Sequence, residues 1–142
     1  MSSQLPEALY AEISALCTQG DELMKVDEFE SAKEKYLAAL YLLPEDHKNL
    51  EAATWIYVAI GDAHFKMGNH EKSFKCFFNA VRCPTGSGNP YIHLRLGQNY
   101  YEQENLEKAV EELTKAYTGG GTEIFTEDDP KYLEFLKKKT DI

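Results

Sequence analysis

The feature that most constrains this chain is an internal repeat. Three segments align on a glycine followed 12 residues later by a small residue. The first holds Gly20, Leu23, Ala32, Tyr36, Ala39 and Pro44. The second holds Gly61, His64, Ser73, Phe77 and Ala80, with Pro84 one place early. The third holds Gly97, Tyr100, Ala109, Leu113 and Ala116, with Gly121 in the proline slot. Intervals of 3, 9, 4 and 3 residues recur in each copy. Such a unit cannot bury its apolar face alone and must stack on its neighbours. Glycine within a helical pattern costs about 1 kcal/mol against alanine, so three glycines in register predict close helix contact at each. Ala32, Ser73 and Ala109 are then the small partners on the second helix of each unit. Tyr36, Phe77 and Leu113 fill the space between the helices.

Punctuation predicts helices near residues 5–25, 29–43, 48–67, 71–82, 90–103 and 106–117. Asp27-Glu28, Gly68-Asn69 and Glu104-Asn105 mark turns within hairpins, and Pro44–Asp46 and Pro84–Asn89 mark turns between them. Asn89 followed by Pro90 reads as an N-cap with proline at the first helical position. Gly119-Gly120-Gly121 is expected to stop the sixth helix and to be mobile. Residues 129–139, with Tyr132, Leu133, Phe135 and Leu136, read as a short amphipathic cap on the last hairpin. Gly20 to Gly61 spans 41 residues and Gly61 to Gly97 spans 36. The first gap predicts two extra turns at the start of a long third helix, since His47 to Ala53 contains no Gly or Pro. The extra residues of the second gap fall in the Thr85–Gly88 loop.

These spacings resemble the tetratricopeptide repeat, whose ~34-residue unit carries W-x2-L-G-x2-Y, then A-x3-F, A and P. The resemblance covers about residues 13–123. The Trp slot here holds Leu16, Tyr57 and His93, and the Leu slot holds Gln19, Ile60 and Leu96. It implies an all-α, right-handed superhelix of three helical hairpins with a C-terminal capping helix. The chain is then one domain over 1–142, with repeats at about 13–46, 54–87 and 90–123.

Composition excludes several classes of function. With 24 acidic residues against 15 Lys plus Arg, the net charge is −9, which repels phosphate backbones and anionic lipid. Neither nucleic acid nor membrane is an expected partner, and no apolar stretch approaches the ~20 residues of a membrane span. Met1 to Pro6 show no basic segment leading into an apolar one, so a cytoplasmic protein without a signal peptide is expected. Cys17, Cys76 and Cys83 are too few and irregular for a disulfide framework and lack zinc-site spacing. His64 and His93 occupy slots of packed aromatics and read as buried, hydrogen-bonded histidines rather than ligands or bases. No H-E-x-x-H, G-x-S-x-G or phosphate-cradling loop is present. The acidic runs Asp27–Glu30 and Glu127–Asp129 lack calcium-loop spacing and read as solvated faces. No catalytic activity, cofactor or metal is expected.

The resemblance places the binding surface on the concave face, lined by the first helix of each hairpin. Its slots are Ser14, Cys17, Asp21 and Met24, then Trp55, Val58, Ala59, Asp62, Phe65 and Lys66, then Tyr91, Leu94, Arg95, Gln98, Tyr101 and Glu102. Asp21, Met24, Trp55, Asp62, Phe65, Tyr91, Arg95, Gln98, Tyr101 and Glu102 are the candidate partner-binding residues. Aromatic and Arg side chains supply most interface energy, and carboxylates set the charge of the partner. Residues 1–46 carry 10 acidic and 3 basic side chains, residues 47–89 carry 3 and 5, and residues 90–142 carry 11 and 7. Acid is thus concentrated at the two ends, around a less charged, aromatic middle.

Three partner classes compete. Leu50–Phe65 and Asn89–Gln98 resemble small bacterial tetratricopeptide immunity proteins found beside polymorphic or secreted antibacterial toxins, which implies a basic toxin as partner. A co-chaperone clamp for acidic C-terminal peptides would need Lys/Asn/Asn/Lys/Arg where this chain has Cys17, Asp21, Ala59, Tyr91 and Arg95; only the last agrees. A general scaffold or secretion chaperone holding a peptide segment is the alternative.

Overall fold

The computed structural model describes residues 5–142; residues 1–4, on which the leader reading partly rests, lie outside it. Among the described residues every regular element is helical. Six helices form three hairpins: α1 (Glu7–Lys25) with α2 (Phe29–Leu42), α3 (Glu51–Lys66) with α4 (His70–Val81), and α5 (Pro90–Glu102) with α6 (Leu106–Gly120). Successive hairpins meet through α2 against α3 and α4 against α5. This is the stacked helical superhelix that the repeat predicts. A 3-10 turn at Thr122–Phe125 and a last helix, α7 (Lys131–Lys139), follow.

The register glycines mark the closest approaches. A Cβ placed on Gly20 would lie 2.5 Å from the Tyr36 ring, one on Gly61 2.6 Å from Phe77, and one on Gly97 2.6 Å from Leu113. Tyr36, Phe77 and Leu113 are all buried, so each ring or branch fills the notch that a missing side chain leaves. Each hairpin also turns through a left-handed residue at the equivalent position: Asp27 (φ 62°), Gly68 (φ 80°) and Glu104 (φ 65°). Asn89 caps α5, accepting from the Tyr91 and Ile92 amides at 2.8 and 3.3 Å with Pro90 at the first position.

Two expectations are corrected. The third helix is not lengthened: α3 begins at Glu51, and the extra residues of the 41-residue gap form a compact loop after α2. Pro44 forces Leu43 into an extended conformation (ψ 150°) that ends α2. Leu43 and Leu50 then bury at either end of the loop. His47 fastens its middle, with Nδ1 2.9 Å from the Pro44 carbonyl and Nε2 3.1 Å from the Tyr57 hydroxyl. The glycine run is likewise not a loop. Gly119 and Gly120 continue α6, packed on Pro90 and Ile124, and only Gly121 (φ 66°) ends it.

The C-terminal segment closes the open end of the third hairpin. Phe125, Tyr132 and Leu136 are buried against Leu94, Leu113 and Ala116.

Candidate functional site

The face formed by α1, α3 and α5 holds a continuous groove. Trp55, Val58, Ala59 and Asp62 lie at helical spacing along α3 and so share one side of it. Asp21 and Met24 do the same on α1. With Tyr36 they line a recess of about 330 Å³. Trp55 is 50% exposed there. A second recess of about 460 Å³ has Met24, Asp62, Lys66, Tyr91 and Arg95 on one side. Glu123, Ile124, Thr126, Glu127 and Asp128 line the other side, from the segment after α6. Met24 and Asp62 belong to both recesses, which joins them.

Arg95 organises the junction from below. Its side chain is buried, and its Nε lies 3.0 Å from both Asp62 Oδ1 and the Tyr91 hydroxyl. Its Nη1 donates to Gln98 Oε1 at 2.8 Å and to Asp128 Oδ1 at 3.0 Å. The guanidinium also sits 4.2 Å from the Phe65 ring centre, a cation–π contact strengthened by exclusion of water. The Tyr91 hydroxyl donates to Asp62 at 2.7 Å. Burial pushes the Asp62 carboxyl above the usual carboxylate range, and the Arg95 charge with the two hydrogen bonds offsets this only in part. Burial also raises the Tyr91 phenol, with the Asp62 charge acting in the same direction.

A parallel bond holds the first hairpin, where the Tyr36 hydroxyl donates to Asp21 Oδ1 at 2.5 Å. At the other end Glu102 accepts from the Tyr132 hydroxyl at 2.5 Å and pairs with Lys131 Nζ at 2.8 Å. Burial alone would raise the Glu102 carboxyl, but these two hydrogen bonds outweigh it and leave it below its ordinary value.

The structure therefore brings together Asp21, Met24, Trp55, Asp62 and Tyr91, with Arg95 beneath them. It does not add the rest of the candidate set. Gln98 is fully buried and Phe65 packs between Arg95 and His70. Tyr101 is covered edge-on by Tyr132 and Phe135, at 5.4 and 5.0 Å between ring centres. Arg95 is likewise only 4% exposed, a brace rather than a surface anchor. Sequence reasoning missed Tyr36, read as core alone, and the whole opposite wall from Glu123 to Asp128. The Glu127–Asp129 run is not simply a solvated face, because Asp128 bonds the buried Arg95.

The histidines divide. His93 is held as expected, with Nδ1 2.6 Å from Glu112 and Nε2 2.7 Å from the Ser87 carbonyl. His64 is buried, but its Nδ1 has no hydrogen-bond partner among the described residues. Burial pushes all three thiols up, Cys76 to about 11, so none is a poised nucleophile. No group of three or more His, Cys, Asp or Glu among the described residues is arranged to hold a metal ion. No helix among them is long and apolar enough to cross a membrane.

The tetratricopeptide repeat family matches residues 56–82 and 90–118, which take in most of α3 with α4 and of α5 with α6. These two hairpins are similar to tetratricopeptide repeats. No curated protein matches the chain. Tetratricopeptide repeats build extended interaction surfaces on stacked hairpins, which supports a protein–protein interaction module. The groove just described lies along the first helices of its three hairpins, the face on which such repeats usually hold a partner.

Proposed function

We propose that this tetratricopeptide protein neutralises a basic protein toxin by covering it with the concave groove. The observation that carries the reading is the composition of that groove. A half-exposed Trp55 stands beside apolar Met24, Val58 and Ala59, continuous with a recess rimmed by Glu123 and Glu127. A rigid aromatic anchor supplies binding energy, and an acidic rim on a chain of net charge −9 speeds encounter with a cationic partner. The Arg95 brace fixes Asp62 and Tyr91 before the partner arrives, so little ordering cost falls on binding. The resemblance of Leu50–Phe65 and Asn89–Gln98 to bacterial immunity proteins supports the same partner class. Inhibition by occlusion requires no catalytic group of this chain.

The test uses the purified protein encoded beside this chain's gene, assayed for toxicity and for binding. Trp55→Ala is expected to weaken binding by about 2 kcal/mol, or about 30-fold. Glu123→Gln with Glu127→Gln is expected to slow association and flatten its salt dependence while leaving dissociation nearly unchanged. Undiminished inhibition by a Trp55→Ala, Met24→Ala double variant would move the interface off the groove. A neighbour that is neither toxic nor bound would favour the alternative, a scaffold or secretion chaperone holding an apolar segment in the Trp55 recess.

A further inference from the structure

The opposite face carries an aromatic ladder that packs on the core at Phe74 and reaches the surface at Phe78. On α4, Ser73, Phe77 and Ala80 form the buried stripe. Phe74, Phe78 and Val81 form a second apolar stripe one residue further on; Phe74 and Val81 pack on the core, and Phe78 is left outside it. Phe78 is 46% exposed and stacks on Phe74 at 5.9 Å between ring centres. Phe74 meets Tyr100 of α5 at 4.9 Å. A cation stands at each end: Arg82 is 5.5 Å from the Phe78 ring centre, and Lys108 is 6.0 Å from that of Tyr100.

Beside this ladder α4 and α6 flank a groove floored by α5. It measures about 370 Å³, with Phe78, Val81, Leu96, Tyr100 and Lys115 in its lining. Past Ser87 and His93 it continues into a recess of about 330 Å³ that ends at Pro90 and Gly119. The shape is elongated, as a peptide segment needs and a single side chain does not. Its one lining carboxylate, Glu112, is already engaged by His93 and by Lys115 at 3.4 Å. Among the described residues neither Arg82 nor Lys108 is in an ion pair. The two cations that touch the ladder's end rings are therefore unpaired, on a chain whose net charge is −9.

We propose that this face is a second docking groove, for an acidic segment of a partner chain bearing an aromatic or large aliphatic side chain. The apolar side chain lies on Phe78, Leu96 and Tyr100, and the flanking carboxylates meet Arg82 and Lys108. Its charge preference is opposite to that proposed for the concave groove, so two chemically distinct partners bind without competing.

The experiment titrates the full, isotope-labelled chain with the synthetic peptide acetyl-Asp-Glu-Phe-Glu-Asp-Leu-amide and follows backbone amide shifts. The expected result is saturable movement at Phe78, Val81, Leu96 and Tyr100, with a dissociation constant of about 0.1–1 mM. It should weaken several-fold with added salt and vanish when lysine replaces the peptide's acids or alanine its phenylalanine. Phe78→Ser and Arg82→Glu, both at exposed side chains, should each abolish the movement while the melting temperature stays unchanged. Absence of shifts at about 2 mM peptide, or shifts confined to Trp55 and Asp62, would overturn the proposal. The same residues moving on raising the protein concentration alone would also overturn it, by assigning the face to a second copy of this chain. None of these outcomes depends on whether the concave groove binds a toxin.

Discussion

Replacing Gly61 by alanine sets two effects of known sign against each other. Alanine is the better helix former by about 1 kcal/mol. Against this, the new Cβ would lie 2.6 Å from Cε2 and 2.8 Å from Cδ2 of Phe77. Ordinary contact begins near 3.4 Å, so the ring must retreat by roughly 0.8 Å. It has nowhere to go. Phe77 is fully buried among Val58, Ala80, Ile92 and Leu96, with Tyr91 edge-on at 6.3 Å. Overpacking of a close-packed site costs about 1–3 kcal/mol, and the surrounding burial places this case at the upper end. A net destabilisation of about 1–2 kcal/mol follows. At ~2 cal/mol/K per residue, a chain of this length loses about 3–7 °C in melting temperature for that amount. Circular dichroism with heat and with urea measures both. Adding Phe77→Leu to Gly61→Ala should recover part of the loss, because the two changes share one contact. Gly88→Ala, where a Cβ meets nothing within 4 Å, is the neutral control. A rise in melting temperature on Gly61→Ala would refute the notch reading of the register glycines, and with it the account of the repeat.

Three further outcomes follow from the same structure. Arg95→Met leaves the partly buried Asp62 and Asp128 without their cation and should cost about 3 kcal/mol, the lower end of the range for breaking a buried pair, with faster amide exchange from Ile124 to Tyr132; adding Asp62→Asn and Asp128→Asn should restore most of it in a urea titration. Glu104→Gly removes a side chain from a left-handed residue (φ 65°) and should stabilise by about 0.5–1 kcal/mol, read as a higher urea midpoint at unchanged slope. His64 is held below its ordinary value by burial and then by Lys33 and Lys72, so the unfolded chain takes up its proton first. The stability this gives is present above about pH 6.5 and is lost as pH falls toward the folded value; the urea midpoint of wild type should therefore drop below that of His64→Phe between neutral pH and pH 5.5, and parallel curves would refute it.

Much of the fold was legible because its determinants are local. Glycine, small residue and large apolar residue recur at fixed spacing within each hairpin, and the resemblance to the repeat family is what put Asp21, Met24, Trp55 and Asp62 on one face. The errors arose where distant contacts decide. The residues after Pro44 have helical composition, but burial of Leu43 and Leu50 favours a tight loop. Gly119 stays helical because Pro90, 29 positions earlier, fills the space beside it. The burial of Arg95 and the partnership of Asp128 depend on the tail folding back over α5. An acidic run 33 residues from an arginine has no periodicity to announce that they meet.

The Arg95 brace changes how this solenoid should come apart. Stacked repeats ordinarily interact only with their neighbours, so that each end can fray on its own. Here one guanidinium ties α3 through Asp62, α5 through its own backbone, and the segment before α7 through Asp128. The end that would otherwise fray first is thereby bolted two elements inward. Among the described residues the first hairpin has no such ion pair to α3: its own polar bond, Tyr36 to Asp21, is internal, and it meets α3 through apolar contacts. The chain should therefore behave as a hinged leaf on a locked block: its N-terminal hairpin, held to α3 by apolar contacts, opens first, and the braced elements open together.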